Sequence, residues 1–483
     1  MIELPTDVWL HVAQFLPDED ILRMLGVNSV FFDLAMDKRY NEVTIYDWKE
    51  PTRWTLSRLI EPSIAKRVRS LKLRFSHVKE RATKSSWKQV RDQLLNVAHL
   101  PNSFFVGNKP NMTKVPESFN KLVNALVAVF PNLVNLTELA IDSWDLPPSY
   151  SLQPIFASAW PSFGPQLKRL LFGGHLEGYR LMIASNPKLD GVRELDLEFT
   201  NNLHRVDPAA DVAILVDVIA PFVNRLSPQL HSLKVWSWAS SDLSSLFLRL
   251  ESFPQLQHFN IRTPFNMVFS ENPSGLKRLL CNTSSTLQKV GLRLNPLGAV
   301  IDPAAEETLL HWLSDCVSEE QMFRSVKILD IYPTNLPGGM DVLVSSINHA
   351  AENLTQLIVR DRYLHLRDIV WVAEALASCN HLTYLRMNVW KLRAELFDIC
   401  SKSTPNLQSL WLYAADTIIA PLSEDDFASQ MKIRSYPDWR LNDIGVWEGG
   451  FAVGMEMMMI IAQSIPSVTS LWGSGDMKGD PSP

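Results

Sequence analysis

Arginine, tryptophan and tyrosine recur beside the hydrophobic residues of a repeated pattern in the second half of the chain. These residue types dominate binding hot spots, because each buries a large area and also forms hydrogen bonds or stacking contacts. Neighbouring residues of a strand face opposite sides of a sheet, so these side chains would share one concave face. The predicted binding strip consists of Trp236, Arg262, Arg293, Tyr332, Arg360, Arg386, Trp390, Trp411 and Tyr413.

The sequence patterns that organise catalysis or bind cofactors are missing. The chain has no G-x-S-x-G nucleophile turn, no P-loop, no dinucleotide-binding glycine pattern and no H-E-x-x-H zinc pattern. The cysteines, Cys281, Cys316, Cys379 and Cys400, are too far apart to form a closely spaced zinc-binding pair. We therefore predict a protein that is not an enzyme, with no catalytic residue, no cofactor and no metal. The remaining alternative is an enzyme whose catalytic residues meet only in the folded chain.

The elements that would position the binding strip follow from the repeat L-x-x-L-x-[LIV]. Its last two hydrophobic positions have the spacing of a strand, and amphipathic stretches of helical period separate successive copies. Prolines such as Pro228, Pro254 and Pro405 stand where a helix would end and the next strand begin. The middle residues of the copies are Leu71, Leu139, Leu170, Leu195, Leu233, Phe259, Val290, Leu329, Leu357, Leu385, Leu410 and Leu471.

This repeat resembles the leucine-rich repeat family. The predicted fold class is α/β, a leucine-rich repeat solenoid with parallel strands inside and helices outside, preceded by a small three-helix module. We predict the module at residues 1–48, the repeat array at 49–475 and a flexible tail at 476–483. Segments 76–116 and 418–450 interrupt the repeat and are interpreted as insertions.

Residues 4–36 predict three short helices. Thr6 and Asp18 can cap the first two, and Asn28 or Ser29 can cap the third. Val8, Val12 and Phe15 then share one face of the first helix. Three helices in so few residues cannot bury all their apolar side chains, so we expect a partner or the repeat array to cover them.

The same segment resembles an F-box. The family begins with Leu-Pro, continues with an aromatic-Leu-x-x-x-Asp-Leu step and ends with a valine followed by an aromatic residue. The matching residues are Leu4, Pro5, Asp7, Val8, Phe15, Leu16, Asp20, Ile21, Leu22, Val27, Asn28, Phe31 and Phe32. The chain departs from the family at Phe31, where tryptophan is usual. The continuation from Ala35 to Tyr40 is similar to F-box proteins of mushroom-forming fungi.

The resemblance implies a substrate-recognition adaptor of an SCF-type ubiquitin ligase. An F-box binds the adaptor Skp1, which joins it to a cullin and a RING protein, and the repeats bind an unknown protein substrate for ubiquitin-dependent degradation. The residues implied for Skp1 binding are Leu4, Pro5, Val8, Leu16, Ile21, Leu22, Val27 and Phe31. The alternative is a leucine-rich repeat scaffold without a ubiquitin-ligase link, in which the helices only cap the array.

Composition restricts the other classes of partner. The chain has 483 residues, a net charge of −6 and no run of basic residues, which argues against nucleic acid as the main partner. The N-terminus lacks the basic start and apolar run of a signal peptide, and no apolar stretch predicts a membrane span. We expect a cytoplasmic or nuclear protein.

Overall fold

The hydrophobic residues of the repeat form parallel strands that stack in chain order within each of two units, Met1–Leu226 and Ser227–Pro483. The fold comes from a computed structural model. It describes residues 5–75, 115–144, 146–147, 150–201, 207–237, 242–265, 269, 272–294, 303–415 and 424–473. Most of segment 76–116 and all of tail 476–483 lie outside the described residues.

Among its described residues, the first unit has five strands in parallel order. The rows Leu71–Leu139–Leu170–Leu195 and Leu73–Ile141–Phe172–Leu197 are in register. The strands are β1 (Glu42–Ile45), β2 (Ser70–Arg74), β3 (Glu138–Asp142), β4 (Arg169–Gly174) and β5 (Glu194–Phe199). The helices are α1 (Thr6–Ala13), α2 (Asp18–Arg23), α3 (Ser29–Asn41), α4 (Glu50–Leu59), α5 (Pro62–Ala65), α6 (Glu117–Val129), α7 (Gln153–Phe163), α8 (Leu176–Ala184), α9 (Pro208–Ile214) and α10 (Ala220–Leu226).

The second unit repeats the same arrangement over more copies. Its strands are β6 (Ser232–Ser237), β7 (His258–Arg262), β8 (Lys289–Arg293), β9 (Ile328–Ile331), β10 (Gln356–Leu364), β11 (Tyr384–Val389), β12 (Ser409–Ala414), β13 (Asp443–Glu448), β14 (Phe451–Ala452) and β15 (Ser470–Leu471). Strands β6 to β13 are parallel, whereas β14 runs antiparallel to β13. The short β15 pairs in parallel with β13.

The helices of the second unit lie between its strands in the sequence, and consecutive helices pack side by side. They are α11 (Ser244–Arg249), α12 (Ser274–Thr283), α13 (Pro303–Val317), α14 (Gly339–Ala350), α15 (Leu366–Leu376), α16 (Ala394–Ser403), α17 (Glu424–Lys432) and α18 (Met455–Ser464). Helices α10 and α16 end just before Pro228 and Pro405, where proline interrupts helical hydrogen bonding.

The predicted fold class is confirmed within each unit, because the middle leucines of the repeat stand opposite each other in the ladders. Leu357 pairs with Leu329 and Leu385, and Leu385 pairs with Leu410. Each of these side chains is almost completely buried. Burial of such a row from strand to strand is the hydrophobic contribution that holds a stacked repeat together.

Strands β1 and β13 also carry the repeat, although the sequence analysis does not predict them. Strand β1 carries Val43 and Ile45 after Tyr40, whose aromatic ring occupies the first hydrophobic position. Strand β13 carries Ile444 and Val446, and it lies inside segment 418–450, which the sequence analysis interprets as an insertion. That segment therefore contains a strand of the stack, because both side chains are withdrawn from water.

We expect the Ile444→Ala substitution to lower the free energy of unfolding of the second unit by about 2–5 kcal/mol, because it leaves a cavity beside Leu410. Urea denaturation followed by tryptophan fluorescence measures the change. The control is Ile433→Ala, at a side chain that is 82% exposed, where the change should stay within about 0.5 kcal/mol. Equal unfolding midpoints for the two variants would mean that β13 is not part of the cooperative stack.

Candidate functional site

The three N-terminal helices pack around a small core. Ala13, Ile21, Phe31 and Ala35 are buried together, and the ring of Trp9 meets that of Phe31 edge to face at 5.7 Å. The side chain of Asn28 caps α3 by accepting a hydrogen bond of 2.9 Å from the backbone N–H of Phe31. Within this core, α3 is the helix against which both α1 and α2 pack.

These helices also expose large apolar side chains to solvent. The exposed fraction is 75% for Phe15 and 60% for Val27, and Val8, Val12 and Leu22 are also exposed. We call these five residues the helical apolar surface. A patch of this kind on a monomer usually marks a surface that another molecule covers.

The structure describes seven of the eight residues implied for Skp1 binding, and these seven differ in exposure. Pro5, Val8, Leu22 and Val27 are exposed, and Leu16 is partly buried. Leu4 lies outside the described residues. Ile21 and Phe31 are in the core, so they hold the helices together and are not available to a partner without rearrangement.

Phe15 and Val12 belong to the helical apolar surface but were absent from those eight residues. The sequence did contain a signal, because Val8, Val12 and Phe15 share one face of the predicted first helix. Phe15 is one of the residues that match the F-box pattern, whereas Val12 is not.

Helix α3 connects the module firmly to the repeats of the first unit. It continues directly into β1, whose residues pair with β2. The guanidinium of Arg67 binds the carboxylate of Asp33 at 2.7 Å and also contacts that of Asp37, and Lys38 of α3 contacts Asp18 of α2. The module and the repeats of the first unit are therefore joined by a continuous segment of chain and by these ion pairs.

The predicted binding strip belongs to the second unit. There the residues that alternate with the buried leucines lie on the side of the sheet away from the helices, which we call the open face. Register places Trp236, Arg262 and Arg293 opposite each other on β6, β7 and β8, and Arg386 opposite Trp411. Arg293, Arg360 and Arg386 are largely buried among their neighbours, whereas Trp236, Arg262, Trp411 and Tyr413 are half-buried and Trp390 is exposed.

Tyr332 does not belong to this strip. Its side chain is completely buried, and its hydroxyl donates a hydrogen bond of 2.8 Å to a carboxylate oxygen of Glu306 on α13. It follows the last residue of β9, where the strand has ended and alternation no longer determines the direction of the side chain. Tyr332 anchors the loop after β9 against the helix layer.

An ionic cluster occupies the centre of the open face. Arg360 Nε lies 3.0 Å from both carboxylate oxygens of Asp330, and both side chains are buried. Asp361 follows with a φ of 59° at the register shift of β10, and its Oδ2 is buried without a hydrogen-bond partner. Burial raises the pKa of Asp361 to about 6, although Arg293, Arg360 and Arg262 oppose the shift.

Arg386 borders this cluster. Its Nε is buried without a hydrogen-bond partner, and its guanidinium lies 4.1 Å from the ring centre of Tyr413. Burial is the largest effect that lowers the pKa of Arg386, and repulsion by Arg360 lowers it further. Removal of a guanidinium from water next to another one is unfavourable unless an anion offsets it.

Aromatic rings continue the open face towards β13. Trp447 stacks on Tyr413 with ring centres 4.6 Å apart and lies 4.9 Å from Trp411, whose Nε1 donates a hydrogen bond of 2.9 Å to Asp443. Gly445 allows this packing, because a Cβ there would lie 2.4 Å from the ring of Trp447. A side chain at position 445 would have to displace that ring.

Asp361, Asp443 and Trp447 are open-face residues that are not part of the predicted binding strip. Asp443 and Trp447 lie on the strand that was interpreted as an insertion, and recognising Ile444 and Val446 as a repeat would have revealed them. Asp361 gave no such signal, because a bulge places it outside the alternation of β10.

Within the described residues, no group of three histidine, cysteine, aspartate or glutamate residues could hold a metal ion. No helix among the described residues has the length and hydrophobicity needed to cross a membrane.

Comparisons with known proteins gave distant structural similarities only. No family model matches the sequence, and no curated protein matches it. The leucine-rich repeat-containing protein LegL7 from Legionella pneumophila is 16% identical with a TM-score of 0.36, covering 73% of this chain and 95% of its own. The Rad7 and Elc1 complex in yeast is 14% identical with a TM-score of 0.32, and the match covers 68% of this chain and 90% of the other. The TLR13–ssRNA13 complex is 13% identical with a TM-score of 0.30, and the match covers 71% of this chain and 43% of the other. The fold assignment rests on the register and packing of the two units.

We expect Asp361→Asn to stabilise the protein in a pH-dependent way. The folded chain binds the Asp361 proton more tightly than the unfolded chain, since the folded pKa is about 6 and the ordinary value is 3.8. The ionised carboxylate therefore destabilises the fold above about pH 6, and this effect disappears below about pH 4. Asparagine cannot ionise and tolerates a positive φ.

The difference in unfolding free energy between Asp361→Asn and the native chain should be about 1–3 kcal/mol at pH 7.5 and close to zero at pH 4. Urea denaturation at the two pH values measures it. A difference that is the same at both would show that ionisation of Asp361 does not contribute.

Proposed function

We propose that this protein is the substrate-recognition adaptor of an SCF-type ubiquitin ligase. In this proposal the helical apolar surface binds a Skp1-type adaptor, which brings in a cullin and a RING protein. The observation that carries the proposal is that Val8, Leu22 and Val27, which match the F-box pattern, remain exposed while Ile21 and Phe31 form the core. The motif residues therefore separate into those that build the module and those that face outwards.

The size of the exposed side chains supports a protein partner. Burial of a large aliphatic or aromatic side chain contributes about 1.5–3 kcal/mol, so a partner that covers Phe15, Leu22 and Val27 gains considerable free energy. The module is ordered by its own core and continues through α3 into β1, so a partner would meet helices that are already folded. The same contacts join the module to the repeats of the first unit.

The repeats supply the second half of the proposed function. The leucine-rich repeat fold supports a protein-interaction role, and the open face concentrates arginine, tryptophan and tyrosine. In the proposal this face binds the protein that is to be ubiquitinated. The chain itself performs no chemistry, and catalysis belongs to the other subunits of the ligase.

We expect the double substitution Phe15→Asp with Leu22→Asp to weaken binding to a purified Skp1-type adaptor at least about tenfold, because it places two charges in an apolar interface. Isothermal titration calorimetry with the full chain measures the affinity. Substitution is preferable to deletion of residues 1–48, which would remove β1 from the sheet.

The matched control is Ile433→Asp, which introduces a charge at an exposed apolar residue in the other unit. This variant should bind the adaptor as tightly as the native chain. If the double variant also bound normally while retaining the native circular dichroism spectrum, the adaptor assignment would be withdrawn and a leucine-rich repeat scaffold would be the remaining interpretation.

A further inference from the structure

Four aromatic side chains form one connected group on the open face of the second unit. They are Tyr384 of β11, Trp411 and Tyr413 of β12, and Trp447 of β13, which we call the aromatic cluster. The ring centres of Tyr384 and Trp411 are 6.0 Å apart. Trp447 lies 4.9 Å from Trp411 and 4.6 Å from Tyr413. Each of the four side chains is half-buried, so these contacts join three neighbouring strands into one surface of partly accessible rings.

The aromatic cluster does not suit a positively charged ligand. The guanidinium of Arg386 lies 4.1 Å from the ring centre of Tyr413, and Trp447 stacks on the same ring at an angle of 4°. Because β12 lies between β11 and β13, these two neighbours cover the two faces of the Tyr413 ring. A cation binds to the negative face of a ring, and it would also be repelled by Arg386. What a ligand can reach on Tyr413 is the ring edge and the hydroxyl, which attract acceptor atoms.

The carboxylate of the cluster is already in use. Asp443 accepts hydrogen bonds of 2.9 Å from the indole N–H of Trp411 and from the hydroxyl of Ser409. Its other oxygen accepts a bond of 3.0 Å from the backbone N–H of Gly473. A ligand that brought N–H groups to this carboxylate would have to compete with these three donors.

Donors of the same region, in contrast, have no acceptor. Among the described residues, none accepts a hydrogen bond from the hydroxyl of Tyr413 or from the indole N–H of Trp447. Arg386 is 9% exposed, and its Nε is buried without a hydrogen-bond partner. Unsatisfied donors beside accessible rings indicate a ligand that supplies acceptors and apolar surface but few N–H groups of its own.

We infer that the aromatic cluster binds a proline-rich segment, in the polyproline II conformation, of the protein that the open face recognises. Proline has no N–H, so such a segment needs no acceptor from Asp443. Its carbonyl oxygens have no partner within the segment and can accept from Tyr413 and Trp447. Aromatic rings are the surface on which prolines of this conformation pack. The inference rests on the proposed function only for the statement that the segment belongs to a protein substrate.

The test uses the purified full chain alone, without adaptor or substrate. The probe is a capped peptide of about ten prolines, a length that forms several turns of polyproline II. The control peptide has the same length and alternates glycine with serine, so it has N–H groups and no pyrrolidine rings. Titration calorimetry should show saturable binding of the proline peptide, at least about tenfold tighter than binding of the control peptide.

Substitutions in the aromatic cluster should weaken binding of the proline peptide. Trp447→Ala removes a half-buried ring and should weaken it at least about tenfold. Tyr413→Phe keeps the ring, removes only the hydroxyl and should weaken it about threefold. The matched control is Trp371→Ala on α15 of the same unit, which removes a tryptophan that is 52% exposed outside the open face. It should leave the affinity unchanged.

Equal affinities for the proline peptide and the glycine–serine peptide would overturn the inference, as would native affinity of Tyr413→Phe and Trp447→Ala. If Trp447→Ala lost the native circular dichroism spectrum, Tyr413→Phe would decide by itself. Tighter binding of a capped glutamate peptide than of the proline peptide would also overturn it, because Arg386 and not the rings would then select the ligand. Since no Skp1-type adaptor is present, these results are independent of whether the helical apolar surface binds one.

Discussion

The packing of Ile21 and Phe31 between three short helices determines how the N-terminal part of this protein can be used. Helices of this length form one small core, and that core takes up the side chains of only one side. Phe15 and Val27 remain in water on the other side, while α3 and Arg67 hold the helices against the repeats. The chain thus carries an apolar surface that its own described residues leave uncovered.

The second unit also uses its two sets of side chains differently. The inward leucines of the strands hold the stack together, and the residues that alternate with them are the ones to which the proposed function assigns binding. Asp361 and Arg386 lower the free energy of unfolding, because each buries a charged group that has an atom without a hydrogen-bond partner. Departures from good local packing of this kind are expected at functional sites. Arg386 lies against the ring of Tyr413 on the open face.

The sequence predicted the elements better than the side chains that use them. Strands with leucine at the middle position were identified because the hydrophobic spacing determines both their period and their register. Strands β1 and β13 were missed, since Tyr40 replaces the first aliphatic residue of one copy and an apparent insertion surrounds the other. Tyr332 was misplaced for a related reason, because alternation predicts direction only while a strand continues. Asp361 could not be predicted at all, since its position depends on a bulge and on charges from three other strands.

Hydrogen–deuterium exchange of the full chain, with and without a purified Skp1-type adaptor, tests the central claim most directly. If the adaptor covers the helical apolar surface, amide exchange in residues 6–27 will slow on its addition, and exchange in β10 to β12 will stay the same. Unchanged exchange in residues 6–27 at saturating adaptor, or protection confined to the open face, would contradict the account.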